Sequence, residues 1–287
     1  MIKKITLIIT LGIFSLTAFS QKSAFKLYTA DGSEADYTSL VESSVSSDII
    51  LFGEHHNNPV CHWLQLELTM DLHKEIGDSL VLGAEMFEHD NQVILNEYLN
   101  DKISARSFKG QARLWPNYET DYKPLVEFAK SNGLTFIATN IPRRYAAMIA
   151  SEGFSGLDSI DKQAKDWIAP LPIPYDAQLP GYKKMLKMMG RKKANPNLPK
   201  AQAIKDATMA YFILENLNEE QVFLHFNGTY HSNNYEGISW YLKEYEPDVQ
   251  ITTIATVEQE NIEVLLDKNK KLADYILVIP ENMTKTY

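Results

Sequence analysis

The stretch ILFGEHHNNPVCHWLQLEL, Ile50–Leu68, runs from apolar residues through a glycine into Glu54, His55 and His56, then into Asn-Asn-Pro. Three of the chain's seven histidines, His55, His56 and His62, fall within eight positions here. An apolar, β-branched run without alternation reads as a strand buried on both faces, the habit of parallel sheets. Asn58 followed by Pro59 is an N-cap with a proline at the first helical position, so a helix opens there and runs to Ile76, with Gly77 as its stop. The polar loop between strand and helix lies where open parallel sheets present ligands, at the carboxyl end of a strand.

The same unit recurs outward from this stretch. Strands are expected at Asp48–Gly53, Leu80–Met86, Leu134–Thr139, Gln221–Phe226, Val249–Thr256 and Tyr275–Ile279. Helices are expected at Tyr122–Asn132 with Gly133 as stop, Pro142–Ser151 ended by Gly153, Ala201–Asn216 and Ser232–Tyr245. Strand alternating with helix predicts an α/β fold: a mostly parallel sheet with helices on both faces. Residues 154–200 break the pattern. They carry six prolines and no strand signal, and read as a helical, proline-rich insertion or lid around a short helix near Tyr182–Met189.

Residues 1–20 have the layout of a secretory signal peptide: Lys3-Lys4, an apolar stretch from Ile5 to Phe14, and Ala18-Phe19-Ser20 before Gln21. Residues 21–287 then form a single domain, exported to a periplasmic or secreted location. The cleavage site has no cysteine, so no lipid anchor is expected. The charge of −9 becomes 26 − 37 = −11 when the two lysines of the leader are removed. That acidity argues against nucleic acid as a partner. No stretch of the mature chain is apolar enough to predict a transmembrane helix. Cys61 is the sole cysteine, which excludes an internal disulfide and reads as a small core residue inside the first helix.

Polar residues follow the expected strands. Glu54 to His56 follow the first, Glu85 ends the second, Asn140 follows the third, and Asn227 to His231 follow the fourth. Gly53-Glu54-His55-His56 and Gly228-Thr229-Tyr230-His231 share the form G-x-x-H, in which a glycine permits a sharp turn and a histidine three residues on can point back over the sheet. His56, His231 and Glu85 together make a His₂–carboxylate set, the ligand type of zinc or iron sites with an open position. The plainer reading is that these histidines cap helices or satisfy carbonyls, and that Glu85 pairs with Arg143.

The segments FGEHHNNPVCHWLQLEL, LGAEMFEHDNQ, WPNYETDYKPLVEFAKSNGLTFIATNIPRR, KDATMA and NGTYHSNNYEGISWYL resemble, in that order, the blocks of the ChaN-like haem-binding proteins. That group shares a superfamily with the Tiki metalloproteases, which also carry paired G-x-x-H motifs. The resemblance spans roughly residues 45–245. It implies an α/β fold, an envelope location, and haem or iron binding in bacterial iron or haem acquisition, with a homodimer or an envelope uptake partner. The positions it matches are Glu54, His56, His62, Gln65, Glu85, Tyr118, Tyr122, Asn140, Arg143, Asp206, Gly228 and His231. Members are often lipoproteins, and this chain departs from them at the missing lipobox cysteine.

Haem is therefore the leading expected cofactor, bound between the sheet edge and the insertion, where Tyr175, Tyr182, Met185, Met188 and Met189 would wall the cleft. Residues 90–224 hold no histidine, so an axial ligand from the insertion would be Tyr or Met. Tyr118 and Tyr122 are further ligand candidates, since phenolate binds haem iron, although a tyrosine pair at a helix start can equally pack as core. Arg191, Lys192 and Lys193 could meet propionates or form a solvated face. The alternative is a metal-dependent hydrolase of the Tiki type. There a divalent metal such as zinc, manganese or iron sits on His56, Glu85 and His231, and Glu54 serves as general base. A partner-binding protein that kept the fold is the third reading.

Overall fold

The computed structural model describes residues 22–188 and 195–287. The expected signal peptide, with Met189, Arg191, Lys192 and Lys193, lies outside the described residues. The strands are β1 Lys26–Thr29, β2 Glu34–Ala35, β3 Ile49–Glu54, β4 Leu80–Glu88, β5 Phe136–Asn140, β6 Val222–Gly228, β7 Ile251–Gln259 and β8 Tyr275–Pro280. The helices are α1 Tyr37–Val45, α2 Pro59–Ile76, α3 Gln92–Leu99, α4 Ala105–Gln111, α5 Lys123–Asn132, α6 Arg143–Glu152, α7 Pro180–Met188, α8 Leu198–Glu215 and α9 Ile238–Tyr245. The strands form one sheet in the order β2-β1-β8-β7-β3-β6-β4-β5. From β8 to β5 every pairing is parallel, and β1 joins β8 antiparallel.

Alternation along β3 shows how the sheet is covered. Ile50 and Phe52 point into a core shared with α2 leucines and α5, while Ile49 and Leu51 point into a second core under α8 and α9. Side chains of opposite parity need opposite faces covered, so the strand is apolar throughout. Asn58 caps α2, its side chain accepting from the amides of Val60 and Cys61, a contact worth about 1 kcal/mol. Gly133 ends α5 in the left-handed conformation at φ 68°.

The helix expected from Ser232 begins later. Residues Thr229–His231 and Asn233–Tyr235 form short 3-10 turns, Asn234 and Tyr235 have positive φ, and α9 starts only at Ile238. Among the described residues, the insertion has no strand. Its 3-10 segments Phe154–Ser159 and Gln163–Trp167 lay Leu157 and Ile168 against α6 and α8. No described helix is long and apolar enough to cross a membrane.

Candidate functional site

β6 lies between β3 and β4, so the loops after these three strands meet at one edge. Glu54, fully buried at the end of β3, is the fixed point of the first half. It accepts from His56 Nδ1 (2.9 Å), from the Tyr122 hydroxyl (2.7 Å) and from Gln65 Nε2 (2.6 Å). Burial alone would raise its pKa, but the His56 hydrogen bond and the nearby imidazoles outweigh this and hold it below the usual carboxylate range. Burial likewise works to lower His56, yet its bond to Glu54 and the charge of Glu85 raise it overall. Beneath, His62 directs Nδ1 to Gln65 Oε1 (3.0 Å) and Nε2 to the carbonyl of His56 (3.1 Å). Asn117 donates to that same carbonyl at 2.8 Å. The backbone of His56 is thus pinned by two side chains, and its ring lies edge-on to Trp115 at 4.8 Å.

The second half is Asp206–His231–Glu85. His231 directs Nε2 to Glu85 Oε1 (3.1 Å) and Nδ1 to Asp206 Oδ1, and all three residues are buried. Burial opposes the charged ring, but two flanking carboxylates raise its pKa to about 10, so it is an imidazolium at neutral pH. Glu85 also accepts the Gly228 amide at 2.7 Å, and His231 and His56 together hold it well below the carboxylate range despite its burial. Desolvation wins at Asp206, which is raised. Gly228 joins the halves. A Cβ at that position would fall 2.7 Å from His56 Nε2 and 3.4 Å from Glu85 Oε2, so the close approach of His56 requires glycine.

A cavity of about 500 Å³ opens over this edge, walled by His55, His56, Gln202, Tyr230, His231 and Tyr287. A second cleft of about 370 Å³ adjoins Glu85 and is bounded by Trp115, Asn140, Arg143 and Lys205.

The structure therefore brings His56, Glu85, Asn140, Asp206 and His231 to one place. Several expectations change. Glu85 pairs with His231, and Arg143 instead meets Glu88. His56, Glu85 and His231 are neighbours, but both nitrogens of His231 are spent on carboxylates. Among the described residues no three His, Cys, Asp or Glu side chains converge as metal ligands. Tyr118 packs edge-on against Phe87 and Phe108 in the core. Tyr122 is buried, and desolvation together with the Glu54 charge disfavours its phenolate. Tyr175 stacks on Tyr182 and packs against Phe154. The gap between the insertion and the edge, at Gly181, Tyr182 and Tyr230, holds about 80 Å³. That is below the ~300–1,000 Å³ of small-molecule pockets; among the described residues the insertion's larger space, about 530 Å³, is lined by Phe154, Lys165, Leu171 and Ile173, away from the sheet edge. Cys61 is buried as expected, its thiol pushed up to about 12 by desolvation.

Trp115, Gln202, Lys205, Tyr230 and Tyr287 were not singled out by sequence reasoning. Trp115, Lys205 and Tyr230 sit inside quoted blocks, and Gln202 lies one helical turn before Asp206, 2.8 Å from the His231 ring. Tyr287 arrives with a C-terminal strap in which Thr286 donates its amide to the Asn57 carbonyl at 2.9 Å.

Fold and site together define a doubly covered parallel α/β protein with a polar, imidazole-bearing strand edge. The family described as haem-binding uptake, Tiki superfamily, ChaN matches residues 40–242, and the chain belongs to that family. The solved structure described as cofacial heme binding to ChaN of Campylobacter jejuni superimposes with a TM-score of 0.67 at 16% identity, covering 89% of this chain and 96% of that one. A succinoglycan biosynthesis protein gives a TM-score of 0.50 at 12% identity, covering 84% and 90%. At these identities the likeness is one of fold. Protein RETICULATA-RELATED 5, chloroplastic, of Arabidopsis thaliana is 27% identical over 128 residues, 42% of this chain, and the match spans 17% of the plant protein's length.

The donor set can be tested against haem. Of the positions matched to the family, His56 combines a half-buried ring on the large cavity with an Nε2 that makes no hydrogen bond among the described residues, its Nδ1 being fixed by Glu54. An imidazole oriented by a carboxylate on its other nitrogen is the arrangement that suits a metal-ligating histidine. The residues fit haem through His56.

Proposed function

We propose that the protein is an exported haem-binding protein that works in bacterial haem or iron acquisition, with His56 Nε2 as the iron ligand at the carboxyl edge of the sheet. Bound haem would supply an iron, and His56 Nε2 would be the group that holds it. The observation that carries the reading is the Glu54–His56 pair on a cavity of about 500 Å³ in a chain of the haem-binding family. Export rests on the Lys-apolar-AFS layout of residues 1–20. Cofacial haem binding in the Campylobacter protein makes haem stoichiometry per chain a second quantity to measure, and a homodimer or an envelope uptake partner belongs to the same reading.

The metal-hydrolase alternative asks more of the geometry. It needs a free nitrogen on His231 and a free oxygen on Glu54, and hydrogen bonds occupy both. The test is a haemin titration of the mature protein with bound metals measured in the same sample. His56→Ala is expected to shift the Soret band and weaken binding by roughly tenfold or more. Wild-type haemin binding by the variant would remove His56 from the site. Tight zinc or manganese without haemin binding would favour the hydrolase.

A further inference from the structure

The cavity over His56 offers a flat apolar ligand little to pack on. Three imidazoles line it, with Glu54, Asn57, Gln202, Gly228 and Thr229, and its largest apolar walls are the rings of Tyr230 and Tyr287. Both tyrosines are exposed, Tyr287 the more so at 67% against 43%. Tyr230 is fixed from the insertion, its hydroxyl donating to the Gly181 carbonyl at 3.0 Å. Tyr287 reaches the cavity by a different route, and it lies outside residues 40–242, the part of the chain that the family matches.

That route is the segment after β8. It leaves the sheet at Glu281, whose amide donates to the Gln259 carbonyl at 2.9 Å, and Met283 packs on the core. Thr286 then donates its amide to the Asn57 carbonyl at 2.9 Å and its hydroxyl to the same oxygen at 3.2 Å. Lys285 pairs with Glu258, which also accepts from Asn58 Nδ2 at 2.9 Å and lies 3.3 Å from His55 Nδ1. The strap is therefore bonded to the loop that carries His56 and to the residue that caps α2. Ordering such a segment costs backbone entropy, and Tyr287 recovers little of it through burial, because it is left largely exposed at the rim of the cavity. A tyrosine ring held at a pocket mouth is a rigid, amphipathic contact surface that loses few rotamers when a ligand packs on it.

We propose that Tyr287 is a recognition residue for the macrocycle: its ring packs on the porphyrin bound in the cavity over His56, so that the strap reads the ring while His56 reads the metal. The assignment rests on the haem reading and divides it into two parts that can be tested separately. Packing on a carbon surface is indifferent to what the centre of the ring contains, whereas an imidazole ligand acts on the iron alone.

The experiment titrates haemin and metal-free protoporphyrin into wild type, Tyr287→Ala, Tyr287→Phe and His56→Ala. Tyr287→Ala is expected to weaken both compounds by a similar factor, roughly threefold to tenfold, without moving the Soret band of bound haemin. Tyr287→Phe should bind both as wild type does. His56→Ala should weaken haemin and spare the metal-free ring. Thermal melts establish that each variant is folded. A Tyr287→Ala variant that binds both compounds as wild type does overturns the assignment. So does one that weakens haemin alone or shifts its Soret band, since Tyr287 would then act through the His56 loop or on the iron. A Tyr287→Phe variant as weak as Tyr287→Ala overturns it too, because the hydroxyl would be the contact. These three outcomes leave His56 in place. If His56→Ala binds haemin as wild type does while Tyr287→Ala weakens both rings, the iron ligand is wrong and the Tyr287 contact stands. If wild type binds neither compound at micromolar concentration, the haem reading fails, and this assignment fails with it.

Discussion

At the scale of single residues, Glu54 organises the site. Its two oxygens take three donors, from His56, Tyr122 and Gln65, and its side chain is fully buried. A buried carboxylate survives without a cation only when hydrogen bonds replace its water. Because the His56 bond is one of these, the carboxylate decides which imidazole nitrogen faces the cavity. Glu54→Gln keeps the shape but sets an amide N–H against at least one of the three donors. Such a change behind a ligand typically costs 10–100-fold in affinity. Haemin titration of Glu54→Gln should therefore show a loss of roughly that size with the fold retained. Unchanged affinity would mean that Glu54 stabilises the edge without orienting His56.

At the scale of elements, β5 is the outer strand on its side of the sheet, and its unpaired edge is closed by side chains. Gln92, at the start of α3, donates Nε2 to the Phe136 carbonyl (2.9 Å) and accepts the Ala138 amide on Oε1 (2.6 Å). His89 Nδ1–H donates to the Ala138 carbonyl at 2.6 Å. One amide thus imitates a neighbouring strand, which protects an edge otherwise open to pairing with another chain. Gln92→Ala should cost about 1–3 kcal/mol, the penalty for unsatisfied buried groups, read as a lower urea midpoint. An unchanged midpoint would mean that water replaces the amide freely. The elements that carry the site were legible because their signals are local. Buried parallel strands are continuous apolar runs, and Asn58-Pro59, Gly77 and Gly133 mark helix ends. β1 and β2 escaped notice because KLYT and EA are short and mixed. α1, α3 and α4 lack a strong apolar period. The partners within the site were less legible. Glu85 meets His231 because β6 inserts between β3 and β4, and strand order is a property of crossovers that no local spacing encodes. The same holds for Lys205 and Gln202, which α8 delivers from beyond the insertion.

At the scale of the whole molecule, two buried histidines pull stability in opposite directions with pH. His225 lies in the core between the Thr139 hydroxyl (2.7 Å) and Asn227 (3.1 Å), and desolvation lowers it to about 4. Its folded value is below the unfolded 6.5, so the unfolded chain binds the proton first as pH falls. The neutral form's stabilisation is complete above 6.5 and is lost between 6.5 and 4. His231 is the reverse. Its two carboxylates raise it to about 10, so its contribution is complete below 6.5 and is lost as pH climbs from there through 10. Each group acts with a limiting slope of about 1.4 kcal/mol per pH unit, and the two slopes meet near 6.5. Urea midpoints measured from pH 4 to 10 should therefore peak close to pH 6.5 and fall on both sides. His231→Gln should lower the maximum and flatten the alkaline limb while leaving the acid limb. His225→Leu should flatten the acid limb alone. An alkaline limb that stays as steep in His231→Gln as in wild type would show that Asp206 and Glu85 do not hold a proton on that ring, and the paired-carboxylate description of the second half of the site would have to be abandoned.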